Sequence, residues 1–163
     1  MPGHNRLARA VHKFDSLPVG LRRFLITWVF GGTVHFVRTA GLKFEELSGD
    51  RAVLMVLNKR RVQNHIGTVH AAAVALLGET ATGAVFGMSV PDDKIPLLKS
   101  MRINYLRRSQ GTLRAEATLS AELRARIGGE EKGEVSVPVR ISDETGEPTV
   151  DAEYIWAWRP KKK

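Results

Sequence analysis

The chain has 163 residues, 43% of them hydrophobic, with no cysteine and a formal net charge of +8. That length suits one domain, which can bury about two-thirds of its unfolded surface without covalent staples. The lack of cysteine excludes disulfides, thiolate metal sites and a cysteine nucleophile, and fits a reducing compartment.

The charge is unevenly placed. Residues 1–40 carry six Lys/Arg against one Asp/Glu, and residues 159–163 add four cations, while the 118 residues between hold 15 basic and 16 acidic side chains. A nucleic-acid domain carries its cations on the folded binding face, so no nucleic-acid partner is expected. No basic and apolar leader opens the sequence, and the apolar stretch Phe24 to Phe30 is far short of the roughly 20 residues of a spanning helix. A cytoplasmic protein without a transmembrane segment is the expectation.

Residues 1–15 read as a short basic helix with Leu7, Ala8, Val11 and Phe14 on one side. Ser16 and Pro18 then start a second helix over 18–30, whose Leu21, Phe24, Leu25, Trp28 and Val29 make one apolar stripe before Gly31-Gly32 stops it. These helices either cover the domain or give a basic, Trp-bearing surface for peripheral membrane contact. Residues 1–32 are read as an N-terminal helical extension, 33–160 as the main domain and 161–163 as a basic tail.

Strands follow from residue 33. Leu42–Leu47 and Arg51–Asn58 flank the hairpin signal Ser48-Gly49-Asp50. Residues 68–87 form a helix that is apolar or small on every side, the pattern of a helix buried all round. A Pro-rich turn near Pro91 to Pro96 leads to three long strands: Met101, Ile103 and Tyr105 alternate with polar residues, residues 112–123 alternate strictly, and Val135 to Ile141 repeat the pattern with Pro138 marking an edge or bulge. A last strand places Tyr154, Trp156 and Trp158 on one face. Long antiparallel strands around one internal helix make an α+β layer architecture.

Glu79 is the only Asp, Glu, Lys or Arg between Val62 and Val90. A carboxylate in apolar surroundings is paired, solvated or kept for chemistry, and burial raises its pKa toward that of a general base. His70, at the helix start, is nine residues away, hence on the opposite side of the helix. They cannot form one site within a single helix, but could meet if two chains pair antiparallel, each supplying one half. Backbone N–H groups at the helix start can bind a carbonyl oxygen.

Asn64-x-x-Gly67-x-x-His70 followed by Glu79 in a small-residue helix resembles the hotdog-fold acyl-CoA thioesterases, closest to the phenylacetate-pathway (PaaI-like) group and a related hotdog family of unknown function. The resemblance spans roughly residues 40–158. It implies a hotdog fold, an antiparallel sheet wrapped around a central apolar helix, here with extra N-terminal helices. It implies Glu79 as the catalytic carboxylate, Asn64 as a polar group acting from the partner subunit, His70 as a structural or orienting histidine, and the Ala71 N–H, beside Gly67, as oxyanion donor. Two departures stand out. Ala71-Ala72 replace the family's Gly-Gly, and the second catalytic hydroxyl falls on Leu98, with Ser100, Thr80, Thr82 and Ser89 as substitutes. Ser100, two residues on, is expected on the same strand face as Leu98. Arg60 and Arg61 (after Lys59), or Arg107 and Arg108, are candidates for the coenzyme A phosphates. No metal and no separate cofactor are expected. The split site and the strand edges call for a homodimer or a dimer of dimers. The competing reading is a non-catalytic acyl-CoA or lipid-like binding protein on the same scaffold. A hotdog dehydratase ranks lower, since the Pro-Gly-rich segment after the histidine is missing.

Overall fold

A computed structural model describes residues 5–162. The first four residues of the expected basic helix and Lys163 of the tail lie outside it. In chain order the elements are α1 (Arg6–His12), α2 (Val19–Thr33), α3 (His35–Ala40), β1 (Lys43–Leu47), β2 (Arg51–Val56), a 3₁₀ turn at Arg60–Val62, α4 (Ala71–Gly87), β3 (Lys94–Tyr105), β4 (Leu113–Thr118), α5 (Ala121–Gly129), β5 (Gly133–Ser136), β6 (Val139–Ser142) and β7 (Val150–Pro160).

All strand pairs are antiparallel. One sheet runs β1-β2-β4-β6 and the other β3-β7-β5. They meet where β5 passes into β6. There the Val137 N–H donates to Tyr154 O and the Thr118 N–H to Pro138 O, each at 3.1 Å. Pro138 has no N–H, so the expected single strand over Val135–Ile141 divides, one half in each sheet. The result is a curled sheet with α4 against its concave face.

Small residues let α4 lie close. A Cβ at Gly78 would sit 2.3 Å from the Tyr154 hydroxyl oxygen, and one at Gly83 would sit 2.6 Å from the Trp156 ring. The Trp156 indole N–H donates to Thr82 Oγ1 at 2.9 Å, and the Tyr154 hydroxyl donates to Ala75 O at 3.1 Å. The polar tips of two large β7 side chains are thereby satisfied inside the core. Leu77, Ala81, Val85 and Phe86 complete the buried sides of the helix. The helix is not enclosed all round, however: Ala71 and Ala72 are exposed, and Ala75, Leu76, Glu79 and Gly83 are half-buried.

Several expectations change. Residues 35–40 form α3 rather than strand, closed by Gly41 at φ 71°. The strict alternation over 112–123 breaks at Thr118. Ser120 Oγ accepts the Leu123 N–H at 3.2 Å and starts α5. Helix α2 runs through Gly31-Gly32 to Thr33; Gly31 is buried there, its would-be Cβ 3.3 Å from Arg38 Cβ. Strand β3 begins at Lys94 and carries Pro96, a residue an edge strand tolerates. The buried Lys94 ammonium donates to Glu130 O at 2.6 Å and to Ile127 O at 3.4 Å, neutralising the carbonyl end of α5.

The N-terminal helices belong to this core. Ala8, Val11 and Ile26 are buried in the same apolar cluster as α4 and the sheets. Asn5 Oδ1 accepts the Ala8 N–H at 2.7 Å, and its amide donates to Gly87 O and Val90 O at 2.6 and 2.5 Å. One side chain thus caps the start of α1 and the end of α4.

Gly83→Ala tests the close approach. In a free helix the change stabilises by about 1 kcal/mol. Here the methyl meets a rigid indole, and overpacking costs about 1–3 kcal/mol. The urea midpoint should fall, whereas that of Gly20→Ala, where a Cβ meets nothing within 4 Å, should hold or rise.

Candidate active site

The loop between β2 and α4 is built around Asn64. Its Oδ1 accepts the Ile66 and Thr68 N–H groups at 3.1 and 3.0 Å, and its amide donates to Thr68 Oγ1 at 2.8 Å. Gly67, at φ 77°, supplies the left-handed turn, and its N–H donates to Asn64 O at 3.2 Å. Both ends of the Asn64 amide are therefore engaged in its own loop, and the Gly67 N–H is taken, so it offers no oxyanion donor.

His70 caps α4. Its Nδ1 accepts the Ala72 N–H at 3.0 Å, and its carbonyl accepts from Ala73 and Val74. A ring nitrogen that accepts carries no proton, which leaves Nε2 as the protonated nitrogen of the neutral ring. Among the described residues the Ala71 N–H has no acceptor, so it is the one free donor of this first turn.

A cavity of about 160 Å³ opens at this helix start, lined by Asn64, Thr68, Ala71, Tyr105 and Arg108 among others. Tyr105 was not singled out from sequence. Its hydroxyl donates to Ala71 O at 2.8 Å, and burial raises its pKa. Of the neighbouring cations, Arg107 forms a bidentate pair with the buried Asp143 at 2.8 and 3.0 Å and also donates to Thr145 Oγ1 and Glu147 O. That pair holds the Asp143 carboxyl far below the ordinary carboxylate range. Arg107 is a structural clamp, whereas Arg108 is exposed and donates to Ile66 O at 2.9 Å at the cavity rim.

Glu79 lies eight residues beyond Ala71, about 12 Å along the axis at 1.5 Å per residue, so one chain cannot bring the two together. Its carboxyl is half-buried. Burial pushes its pKa up, partly offset by the Thr80 hydroxyl, which donates to Oε2 at 3.3 Å. Tyr154 lies beside it; burial first, then Tyr105 and Glu79, raise the pKa of that phenol. Strand periodicity marks Tyr154 only as one of an aromatic stripe and does not show its hydroxyl near Glu79.

The other candidates are dispersed. His70 points to a groove of about 190 Å³ with Phe36, Arg61 and Leu76. The Thr82 hydroxyl bonds Gly78 O, Glu79 O and the Trp156 indole, so it is structural. Ser100 does not share a face with Leu98. The register slips between them, with Leu98 opposite Trp156 and Ser100 opposite Ile155. The extra residue, Lys99, turns Ser100 outward and brings Met101, Ile103 and Tyr105 onto the helix side. That side is open: Met101 and Tyr105 are 52% and 50% exposed. Arg60 is exposed and outside the cavity. Among the described residues no cluster of His, Asp and Glu could hold a metal.

The sequence pattern of DUF4442, a domain of unknown function, matches residues 22–158. The chain belongs to this family. No curated protein matches it. Among solved structures, this DUF4442 protein is similar to a Pseudomonas aeruginosa protein of unknown function, named a probable thioesterase, at 27% identity over 98% of this chain and 100% of that one, with a TM-score of 0.76. It shares the fold of a Haemophilus influenzae thioesterase (14% identity, 83% and 88% covered, TM-score 0.65) and of a Staphylococcus aureus thioesterase (19%, 78% and 100%, 0.65). The DUF4442 chain is therefore a hotdog fold.

The raised pKa of Glu79 sets a pH dependence of stability. The folded state binds this proton more tightly than the unfolded state, so ionised Glu79 costs stability above its folded pKa. The cost disappears below the ordinary value of 4.5. Glu79→Gln should melt higher than wild type at pH 8, and the gap should close as the pH falls below 4.5.

Proposed function

We propose that this protein is a thioesterase that hydrolyses an acyl-CoA as a homodimer, the site formed by Ala71 of one subunit and Glu79 of the partner subunit. The observation that carries this reading is a half-buried carboxylate of raised pKa on the open stripe of α4, shared with the unpaired Ala71 N–H. The name of the Pseudomonas relative supports the reaction class.

Two copies of α4 packed antiparallel would bring the partner's Glu79 beside Ala71. The exposed inner side of β3 is the complementary edge for such pairing. In the reaction Glu79 takes a proton from water as the water oxygen bonds the thioester carbonyl carbon. The Ala71 N–H donates to the resulting oxyanion. The C–S bond then breaks, and the Glu79 carboxyl returns its proton to the departing thiolate. The products are a carboxylic acid and free coenzyme A thiol, and no separate cofactor takes part. His70 orients the helix start through Ala72. Arg108, at the cavity rim, is the best-placed cation for a coenzyme A phosphate, since Arg107 is held by Asp143.

A second reading is a binding protein without turnover. It is favoured by the exposed methyls of Ala71 and Ala72 and by the Asn64 amide, already engaged within its own loop.

Thiol release from a panel of short, medium, long and aryl acyl-CoAs tests the proposal. Glu79→Gln should lower kcat by about 10²–10⁴-fold. Wild-type kcat/KM should fall as the pH drops through a value above 4.5, the ordinary glutamate value. Binding of acyl-CoA without thiol release would favour the second reading. Light scattering should give a dimer or larger; a monomer would remove the shared site.

A further inference from the structure

The face of α2 that packs on the protein is not the face the stripe pattern selects. Ile26 is buried, and Phe30 stacks on Phe44 of β1 with ring centroids 4.5 Å apart. The Phe44 N–H donates to Thr27 Oγ1 at 2.9 Å, and the Arg22 guanidinium donates to Leu47 O at 3.0 Å. At 100° per residue, Phe24 and Trp28 lie opposite Ile26. They are 63% and 69% exposed, and Leu21, one turn before Phe24, is exposed on the same side. The helix is apolar on two faces, and only one has a partner among the described residues.

Cations border this second face. A groove of about 350 Å³ runs between α2 and α3, lined by Phe24, Trp28, Val37, Arg38, Lys43 and Arg61 among others. Among the described residues Arg38, Lys43 and Arg61 make no ion pair or side-chain hydrogen bond. Residues 1–44 contain a single acid, Asp15, and Arg22 engages it at 2.9 Å. The sheet places this patch at its β1 end, the opposite edge from β3, so a dimer formed through β3 does not account for it.

We propose that α2 and α3 form a docking face for an anionic lipid bilayer, with Phe24 and Trp28 entering the headgroup region and Arg38, Lys43 and Arg61 meeting lipid phosphates. Aromatic side chains with cations beside them are the pattern of helices that lie in a membrane interface. Among the described residues no helix is long and apolar enough to cross a membrane. The contact is thus peripheral, and its cationic part is screened by salt.

The test uses the intact protein and two kinds of vesicle, phosphatidylcholine alone and an equal mixture with phosphatidylglycerol. Trp156 and Trp158 are buried, so Trp28 reports on this face by itself. Mixed vesicles should sediment the protein and shift its fluorescence to the blue, and the shift should be absent in Trp28→Phe. Phe24→Ser with Trp28→Ser should weaken vesicle binding by about tenfold or more while leaving the melting curve near that of wild type, because both residues are exposed. Replacing Arg38, Lys43 and Arg61 by Gln should remove the salt-sensitive part. The proposal is overturned by no association with either vesicle, by equal binding to both, or by a Phe24/Trp28 double variant that binds as well as wild type. A fall in the solution mass of that double variant would also overturn it, assigning the face to a second copy.

Discussion

The close contact between α4 and β7 is the constraint on which the rest depends. A sheet can curl around a helix only if the helix presents little bulk, and here two glycines leave room for a phenol and an indole. The hydroxyl and N–H of those rings then need acceptors within the core, and the helix supplies them at Ala75 O and Thr82 Oγ1. Leaving such a group buried and unpaired costs about 1–3 kcal/mol. The contact therefore fixes the rotation of α4 as well as its distance from the sheet. That rotation puts Ala71, Ala75 and Glu79 on the side the sheet leaves open.

The same geometry determines the chemistry available. Glu79 is desolvated enough to hold its proton more tightly, yet retains a hydroxyl partner in Thr80 and a path to solvent. The helix start keeps one free N–H because His70 and its carbonyl take the next three. These two features lie on one helix but two turns apart, and β3 leaves large apolar side chains uncovered alongside them.

The parts legible in the sequence were those with one dominant signal. The hairpin at Ser48–Asp50, the helix α4 and the aromatic stripe of β7 each have a single physical reading, although the apolar pattern of α4 implies burial on every side and one stripe stays open. The single carboxylate of the central segment is half-buried with a raised pKa, as its apolar neighbours imply. Other parts failed where two signals coincide. Residues 112–123 alternate as a strand, but Ser120 can cap a helix, and the cap prevails once β4 has run out of partner residues beyond Thr118. Helix α3 spans six residues, too few for a periodicity to appear. The facing of Ser100 depends on the bulge at Lys99, which exists only in the pairing with β7. Tyr105 and Tyr154 look like core aromatics along the strands, and only the position of α4 reveals what their hydroxyls meet. For α2 the stripe was read correctly as apolar, but periodicity gives no direction, and the sheet took the other face.

The Asn5 side chain has a consequence for how the chain can be cut. It joins the first turn of α1 to the carbonyls that end α4, residues more than 80 positions away in sequence. The N-terminal extension is thus a lid sewn to the central helix. A fragment trimmed to the strand-rich segment would lose it, expose the carbonyl end of α4 and uncover apolar surface beneath Ala8 and Val11. During synthesis Asn5 can cap α1 at once, but its amide must wait for residue 90 before it reaches the end of α4, so this stitch closes late.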